Sequence, residues 1–229
     1  MSFLEDYIDS IQNRRRSPAP EGAIARPDRQ SLEAHLARRR YGRFTLTEAV
    51  RPSWQLDVVP HAGYRFDTYT DPRTGSRLPA LIASVSCEQL FETFLQLLEP
   101  LGDTCDVILE TSHEAKAADD SQRAEVHREG IERLVLESVL WDFEDLLLND
   151  GCTGIAIMHP ELPMEVQLDE HKLLVVYAPN RTPFEHVLAE QGIDRNDRMR
   201  FISQGEHLHT SHTRFARLFD EMAGSLGAG

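Results

Sequence analysis

Four strand-like segments follow one another early in the chain with no helical pattern between them. They cover residues 44–46, 54–59, 64–69 and 78–85, and they are rich in aromatic and β-branched residues or alternate apolar with polar ones. Consecutive strands favour antiparallel pairing, and the strict strand–helix alternation of a doubly wound fold is missing. The sequence therefore predicts an α+β fold with one mixed, mostly antiparallel sheet and helices packed on it.

The later part of the body mixes helical and strand patterns. A capping box at Ser86 predicts a helix, and Thr182-Pro183 predicts the start of another. The longest helical pattern covers residues 121–149, with Gly151 as its stop, and we expect this helix to form the centre of the core. The other expected elements are strands at 105–109, 153–158 and 199–203, a hairpin of 165–168 with 172–177, and a closing helix from about residue 211.

Residues 1–40 form a predicted N-terminal helical arm with a linker, and residues 41–229 form a predicted single α+β domain. Apolar residues recur at helical spacing in the first part of the arm: Phe3, Leu4, Tyr7, Ile8 and Ile11. A proline-containing linker at 17–22 precedes a second short helix at 31–40. Such short helices need a surface to pack on, which is either the chain's own body or another chain.

Charge restricts the classes of partner. The formal net charge of the chain is −14, although the first sixty residues are mildly basic. This balance argues against duplex nucleic acid and against anionic membranes as partners. No apolar run is long enough to span a membrane, and the acidic residues near the N-terminus are unlike a secretory signal, so we expect a cytoplasmic protein.

Several catalytic signatures are missing from the sequence. It contains no GK[ST] phosphate-binding loop, no GxGxxG after a strand and no GxSxG nucleophile motif. Nucleotide-dependent catalysis and α/β-hydrolase chemistry are therefore not expected. The three cysteines, Cys87, Cys105 and Cys152, are far apart and fit small core residues of a reducing compartment.

The densest group of reactive side chains is the segment 206–212. If a strand continues through it, His207 and His209 project on one face, and Glu206 and His212 add further ligands. Three imidazoles and a carboxylate suit a divalent transition metal, with zinc favoured, and Glu206 or Glu110 is the candidate general base. The structural alternative is an exposed strand-to-helix loop in which Thr210 or Ser211 caps the last helix.

Two functional hypotheses from different classes remain. The first is a non-enzymatic protein-interaction or regulatory module without a cofactor, in which the acidic body or the arm contacts a protein partner. Self-association as a homodimer, with each arm on its neighbour, is one version of it. The alternative is a metal-dependent hydrolase that uses the histidines of residues 207–212 as ligands.

Overall fold

The computed structural model describes residues 28–70, 75–113 and 124–228. The helices of this part are α1 (Arg29–Ala37), α2 (Cys87–Leu98), α3 (Arg133–Asp142), α4 (Glu144–Asn149), α5 (Thr182–Glu190) and α6 (Thr213–Leu226). The strands are β1 (Arg40–Tyr41), β2 (Phe44–Thr45), β3 (Val50–Pro52), β4 (Gly63–Thr70), β5 (Arg77–Ser84), β6 (Thr104–Thr111), β7 (Ala124–Glu132), β8 (Thr153–Met158), β9 (Glu165–Leu168), β10 (Leu173–Tyr177) and β11 (His207–His209).

Seven strands form one sheet in the order β4-β5-β10-β9-β8-β6-β7. Each pair of neighbours in this sheet is antiparallel, and the hairpin of β9 with β10 is closed by residues 169–172. Two smaller pairs, β1 with β2 and β11 with β3, are also antiparallel. The α+β prediction with a mostly antiparallel sheet is confirmed.

The core lies between one face of the sheet and helices α2 to α6. Alternate sheet residues such as Leu81, Leu109, Ile157 and Val176 are buried there against apolar residues of these helices. Phe94 of α2 is among the largest fully buried side chains. Burial of such side chains is the main favourable contribution to folding, at about 25 cal/mol per Å² of apolar surface.

The segments that carry the candidate functional site, described below, meet at one end of the sheet. The register places the start of β10 beside the end of β5, the end of β9 beside the start of β8, and the end of β6 beside that same start of β8. The turn at 169–172 and the turn that precedes β8 therefore lie at the same end of the molecule. The strand pair of β3 with β11 contacts this end through a backbone hydrogen bond from Gly151 to Thr210.

The predicted helix over residues 121–149 is wrong in its first part. Residues 124–132 form the edge strand β7 paired with β6, and the helical part is divided into α3 and α4 at Phe143. Gly130 adopts a positive φ of 63°, which does not fit a continuous helix. In this segment, pairing with β6 at the edge of the sheet stabilises a strand more than the apolar periodicity stabilises a helix.

Two predicted strands are also absent from their expected places. Residues 54–59 form turns instead of a strand, and residues 199–203 run into a short 3₁₀-helix at Ile202–Gln204. The strands in these regions are β3 and β11, which lie a few residues away and pair with each other. The predicted strand 105–109, the hairpin and the helices at 182 and near 211 are present with small shifts in their ends.

Helix α1 packs on the body of its own chain. Leu32 and Leu36 are buried against Leu208, with Trp54 at the edge of this small cluster. The second helix of the predicted arm therefore packs in cis. The apolar stripe from Phe3 to Ile11 and the linker at 17–22 lie outside the described residues.

No helix among the described ranges has the length and apolarity needed to cross a membrane. Of the three cysteines, Cys105 is buried, Cys87 and Cys152 are partly buried, and all three carry free thiols.

Candidate metal centre

Three histidines meet at the end of the sheet where the β9–β10 turn contacts β11. His207 and His209 are two residues apart on β11, so they project from the same face while Leu208 packs on α1. His171 comes from the turn between β9 and β10, 36 residues earlier than His207. The strand periodicity predicted for His207 and His209 is confirmed, and the third imidazole comes from a separate element.

The three rings are in mutual contact. The centroid of the His171 ring lies 4.8 Å from that of His207 and 4.8 Å from that of His209. The His207 and His209 centroids are 5.1 Å apart. One potential ligand atom from each residue lies within 4.8 Å of the other two, and all three side chains are partly buried. These three histidines form a group that could hold a metal ion.

Each imidazole is oriented by a hydrogen bond at its Nδ1 atom. His207 Nδ1 lies 2.8 Å from the Gly205 carbonyl oxygen, and His209 Nδ1 lies 2.8 Å from the Gly151 carbonyl oxygen. His171 Nδ1 lies 3.0 Å from Asp169 Oδ2. Carbonyl and carboxylate oxygens only accept, so each Nδ1 carries the proton and Nε2 is the nitrogen that would bind a metal. Such outer partners are typical of metal-binding histidines.

The electrostatic environment keeps His209 neutral. Burial, together with the neighbouring His171 and His207, lowers the pKa of His209 to about 4. A neutral imidazole is the form that coordinates metal, so His209 needs to lose no proton at neutral pH before it can bind. Two carboxylates, Asp169 and Glu170, lie within 4 Å of His171 Nδ1 and supply negative charge beside the group.

The hydrogen bond between His209 and the Gly151 carbonyl oxygen depends on the absence of a side chain at Gly151. A Cβ atom at this position would lie 2.4 Å from the Ala49 carbonyl oxygen and 2.8 Å from the Thr210 carbonyl oxygen. Three backbone segments meet here, because Gly151 N donates to Thr210 O and Thr210 N donates to Ala49 O. The close approach brings the Gly151 carbonyl oxygen to the ring of His209.

A buried charge network lies beneath the three histidines. Asp150 has no exposed surface and accepts hydrogen bonds from His113 Nε2 at 2.8 Å and from Thr153 Oγ1 at 2.6 Å. Burial would raise the pKa of Asp150, but these hydrogen bonds outweigh it and the pKa lies below its ordinary value. Lys172 Nζ donates to the Thr153 carbonyl oxygen at 2.8 Å.

Lys172 also holds the turn that carries His171. It adopts a left-handed backbone with φ of 62°, which is uncommon for a residue with a side chain and is found at functional sites. Burial lowers the pKa of Lys172 to about 8, against the opposing effect of the carboxylates of Asp150, Asp169 and Glu170. The ammonium group therefore stays mostly protonated at neutral pH and anchors the turn to the β8 backbone.

The predicted site residues differ in where they lie. The structure brings His207 and His209 together, but His212 is exposed at the start of α6 with its ring 5.9 Å from that of Phe215. The Glu206 side chain is exposed, while its carbonyl oxygen accepts a hydrogen bond from Ser53 N. Neither His212 nor Glu206 belongs to the groups of potential metal ligands found in the described ranges.

Glu110, the other predicted general base, lies near the turn that carries His171. Its Oε2 atom and the Glu170 backbone nitrogen are both 3.8 Å from the position of a Cβ at Gly154. Sequence reasoning missed His171, which lies in the turn of the predicted hairpin of 165–168 with 172–177. The sequence feature that could have identified His171 is the Asp169-Glu170-His171 turn, since the hairpin on either side of it was predicted correctly.

Comparisons of the chain with protein families, curated proteins and solved structures find no match.

Proposed function

We propose that this protein is a metal-dependent hydrolase whose zinc ion is bound by His171, His207 and His209. The observation that carries the proposal is the contact of three imidazoles whose Nδ1 atoms are all engaged by oxygen acceptors. Three neutral nitrogen ligands with an open fourth position are a common arrangement for catalytic zinc. Copper, nickel and iron also accept imidazole ligands, and zinc is favoured because three histidines suit its tetrahedral preference.

The spacing of the potential ligand atoms is compatible with zinc. Two nitrogens bound at 2.0–2.1 Å in a tetrahedral arrangement lie about 3.3 Å apart. The potential ligand atoms lie within 4.8 Å of one another, so binding requires them to approach by about 1.5 Å at most. Rotation of the three imidazoles about their side-chain bonds would have to supply this shift, with the Nδ1 hydrogen bonds adjusting to it.

The chemistry follows from the fourth coordination position. A zinc ion held by the three histidines would lower the pKa of a bound water to about 7 and would supply a hydroxide nucleophile at neutral pH. Glu170 Oε1 lies 3.9 Å from His171 Nδ1, on the side of the ring away from Nε2, so Glu170 adds negative charge beside this ligand. Glu110, a general base predicted from the sequence, lies near the same turn and is the remaining candidate for that role. Esters and amides are the substrate classes that such a hydroxide attacks.

Hydrolysis of 4-nitrophenyl acetate tests the proposed activity. We expect the zinc-loaded protein to hydrolyse this ester faster than an equal concentration of free zinc, and chelation should remove the difference. His209→Ala should lower both the zinc content and the zinc-dependent rate, because it removes one of the three ligands. A rate that does not depend on bound zinc would contradict the hydrolase proposal.

A second candidate function is the protein-interaction or regulatory module. It is supported by three apolar side chains of α3 that are exposed to solvent, namely Leu134, Val135 and Trp141, with exposed fractions of 70%, 51% and 56%. Large exposed apolar side chains on one short helix can form part of a surface that binds another protein. The predicted dimer through the arm and the absence of a cofactor belong to this candidate, and a metal analysis of the purified protein separates the two functions.

A further inference from the structure

A second group of potential metal ligands lies beside the start of β8 and shares no residue with the three histidines. It consists of His113, Asp150 and Cys152, and one potential ligand atom from each lies within 4.8 Å of the other two. An imidazole, a carboxylate and a thiolate are the three ligand types that zinc accepts in proteins. The group therefore has the chemistry of a metal site of its own.

Strand pairing brings these three residues together. The end of β6 is paired with the start of β8, so the segments that follow β6 and precede β8 run side by side. Ser112 N donates to the Cys152 carbonyl oxygen at 3.0 Å and extends this pairing beyond the strands. His113 is thereby placed against the turn that contains Asp150 and Cys152.

The group is enclosed but not sealed. The side chain of Asp150 has no exposed surface, and that of His113 is 13% exposed. Cys152 is partly buried and carries a free thiol. Such an environment excludes most of the water around the ligands and still leaves a path for a small ion.

The contact between His113 and Asp150 is already close to the spacing of two zinc ligands. His113 Nε2 lies 2.8 Å from Asp150 Oδ2, and two such atoms on one zinc ion lie about 3.3 Å apart. A sulfur ligand on the same ion lies about 3.6 Å from each of them, so the potential ligand atoms must approach by about 1.2 Å at most. Rotation of the side chains would have to supply this shift.

Hydroxyl groups next to Cys152 suit a bound thiolate. A hydrogen bond from the Ser112 side chain favours the thiolate, although burial outweighs it and raises the pKa of the free thiol. Ser211 Oγ is buried beside Asp150 and Cys152, and within the described part of the chain it has the hydrogen-bond geometry for no partner. A thiol loses its proton when it binds a metal, and the charged sulfur is then an acceptor for such hydroxyls.

We propose that His113, Asp150 and Cys152 form a second site for a divalent transition metal, with zinc favoured. The carboxylate and the thiolate supply two negative charges, which balance the charge of the ion. The sulfur ligand selects zinc over Mg²⁺ and Ca²⁺, since these ions prefer oxygen. The site is independent of the proposed hydrolysis, because none of its residues belongs to the three-histidine group.

The second site should bind metal more weakly than the three-histidine group. The three histidines are oriented through Nδ1, so the Nε2 atoms proposed to bind the metal need not give up these hydrogen bonds. In the second site, Asp150 Oδ2 itself accepts from His113 Nε2 and Thr153 Oγ1, and Cys152 must lose a proton. The buried Lys172 ammonium interacts with both Asp150 and Cys152 and opposes a further cation. We therefore expect the second site to fill only when metal is added after purification.

Titration of the chelator-treated full-length protein with Co²⁺, followed by absorption spectroscopy, tests the inference. Co²⁺ accepts the same ligands as zinc, and a cobalt–thiolate bond gives a near-ultraviolet charge-transfer band that cobalt bound by histidines alone lacks. We expect the first equivalent to bind without this band and the second equivalent to produce it. Cys152→Ser should abolish the band, and His113→Gln should raise the cobalt concentration that produces it by at least about tenfold.

Cys87→Ser is the matched control and should keep the band. Cys87 is also a partly buried free thiol, but it lies outside the groups of potential ligands found in the described ranges. Circular dichroism checks the fold of each variant, and His113→Gln gives an independent test should Cys152→Ser not fold. Absence of the band with cobalt in excess, or its persistence in folded Cys152→Ser, would overturn the inference.

Failure of this site and failure of the three-histidine centre give different results. If one cobalt ion binds without the band, the second site fails and the three-histidine centre stands. If the band depends on Cys152 while His207→Ala leaves the binding of every ion unchanged, the three-histidine centre fails and the second site stands.

Discussion

Replacing His207 with alanine is expected to weaken zinc binding by more than 100-fold and to leave the fold intact. Loss of an outer hydrogen-bond partner of a metal ligand already costs about 10–100-fold in affinity, and loss of one of three ligands costs more. His207 is partly exposed and its Nδ1 bond goes to Gly205 only two residues away, so the hydrogen bond lost is local and the loss beyond it is the ring contacts with His171 and His209. Competition titration with a chromophoric chelator measures the affinity, and circular dichroism checks the fold.

His212→Ala is the informative control for this experiment. His212 was predicted as a ligand from its spacing, but it is exposed at the start of α6 and lies outside the group of three. Zinc affinity should stay within about threefold of the original in His212→Ala, whereas His171→Ala and His209→Ala should resemble His207→Ala. Equal losses in His212→Ala and His207→Ala would show that the metal is bound elsewhere in the 206–212 segment.

Replacing Gly151 with alanine is expected to lower the free energy of unfolding by about 3 kcal/mol, the upper part of the range for overpacking. The added Cβ would lie 2.4 Å from the Ala49 carbonyl oxygen, and the obstructing atoms are backbone that cannot rotate away. The strand pair of β3 with β11 must therefore shift relative to the turn before β8. Urea unfolding measures the change.

The same shift should weaken zinc binding, because it displaces the carbonyl oxygen that orients His209. Gly224→Ala in α6 is the matched control. A Cβ at Gly224 meets no atom within 4 Å, and alanine in a helix is favoured over glycine by about 0.5–1 kcal/mol, so this variant should be slightly more stable. An unchanged stability of Gly151→Ala would mean that the close approach at Gly151 is not part of the folded protein.

Local patterns were sufficient to predict the fold class. The β9–β10 hairpin and the helix starting at Thr182 were predicted from turn and capping residues, which act within a few positions. The helix over 121–149 failed because its first part pairs with β6, and that pairing is a tertiary contact. The β3 and β11 strands are only three residues long, and their pairing is equally non-local.

The candidate site was predicted only in part, because only its local pattern could be read from the sequence. His207 and His209 share a strand, so a period of two residues places both on one face. His171 lies beside them only because of the antiparallel order of the sheet and the close approach at Gly151. Neither feature can be predicted from the spacing of residues in the sequence. A glycine directly after Asn149-Asp150 was interpreted as a helix stop, whereas its packing role depends on Ala49 and Thr210.

The most direct test of the account is the metal content of the full-length protein, purified without an affinity tag and measured by inductively coupled plasma mass spectrometry. The account predicts about one transition-metal ion per chain, zinc foremost. It also predicts a melting temperature that falls when a chelator removes the ion, because a ligand that binds only the folded state stabilises it. A protein that contains no metal, does not bind added zinc and melts at the same temperature with chelator would contradict the three-histidine metal centre.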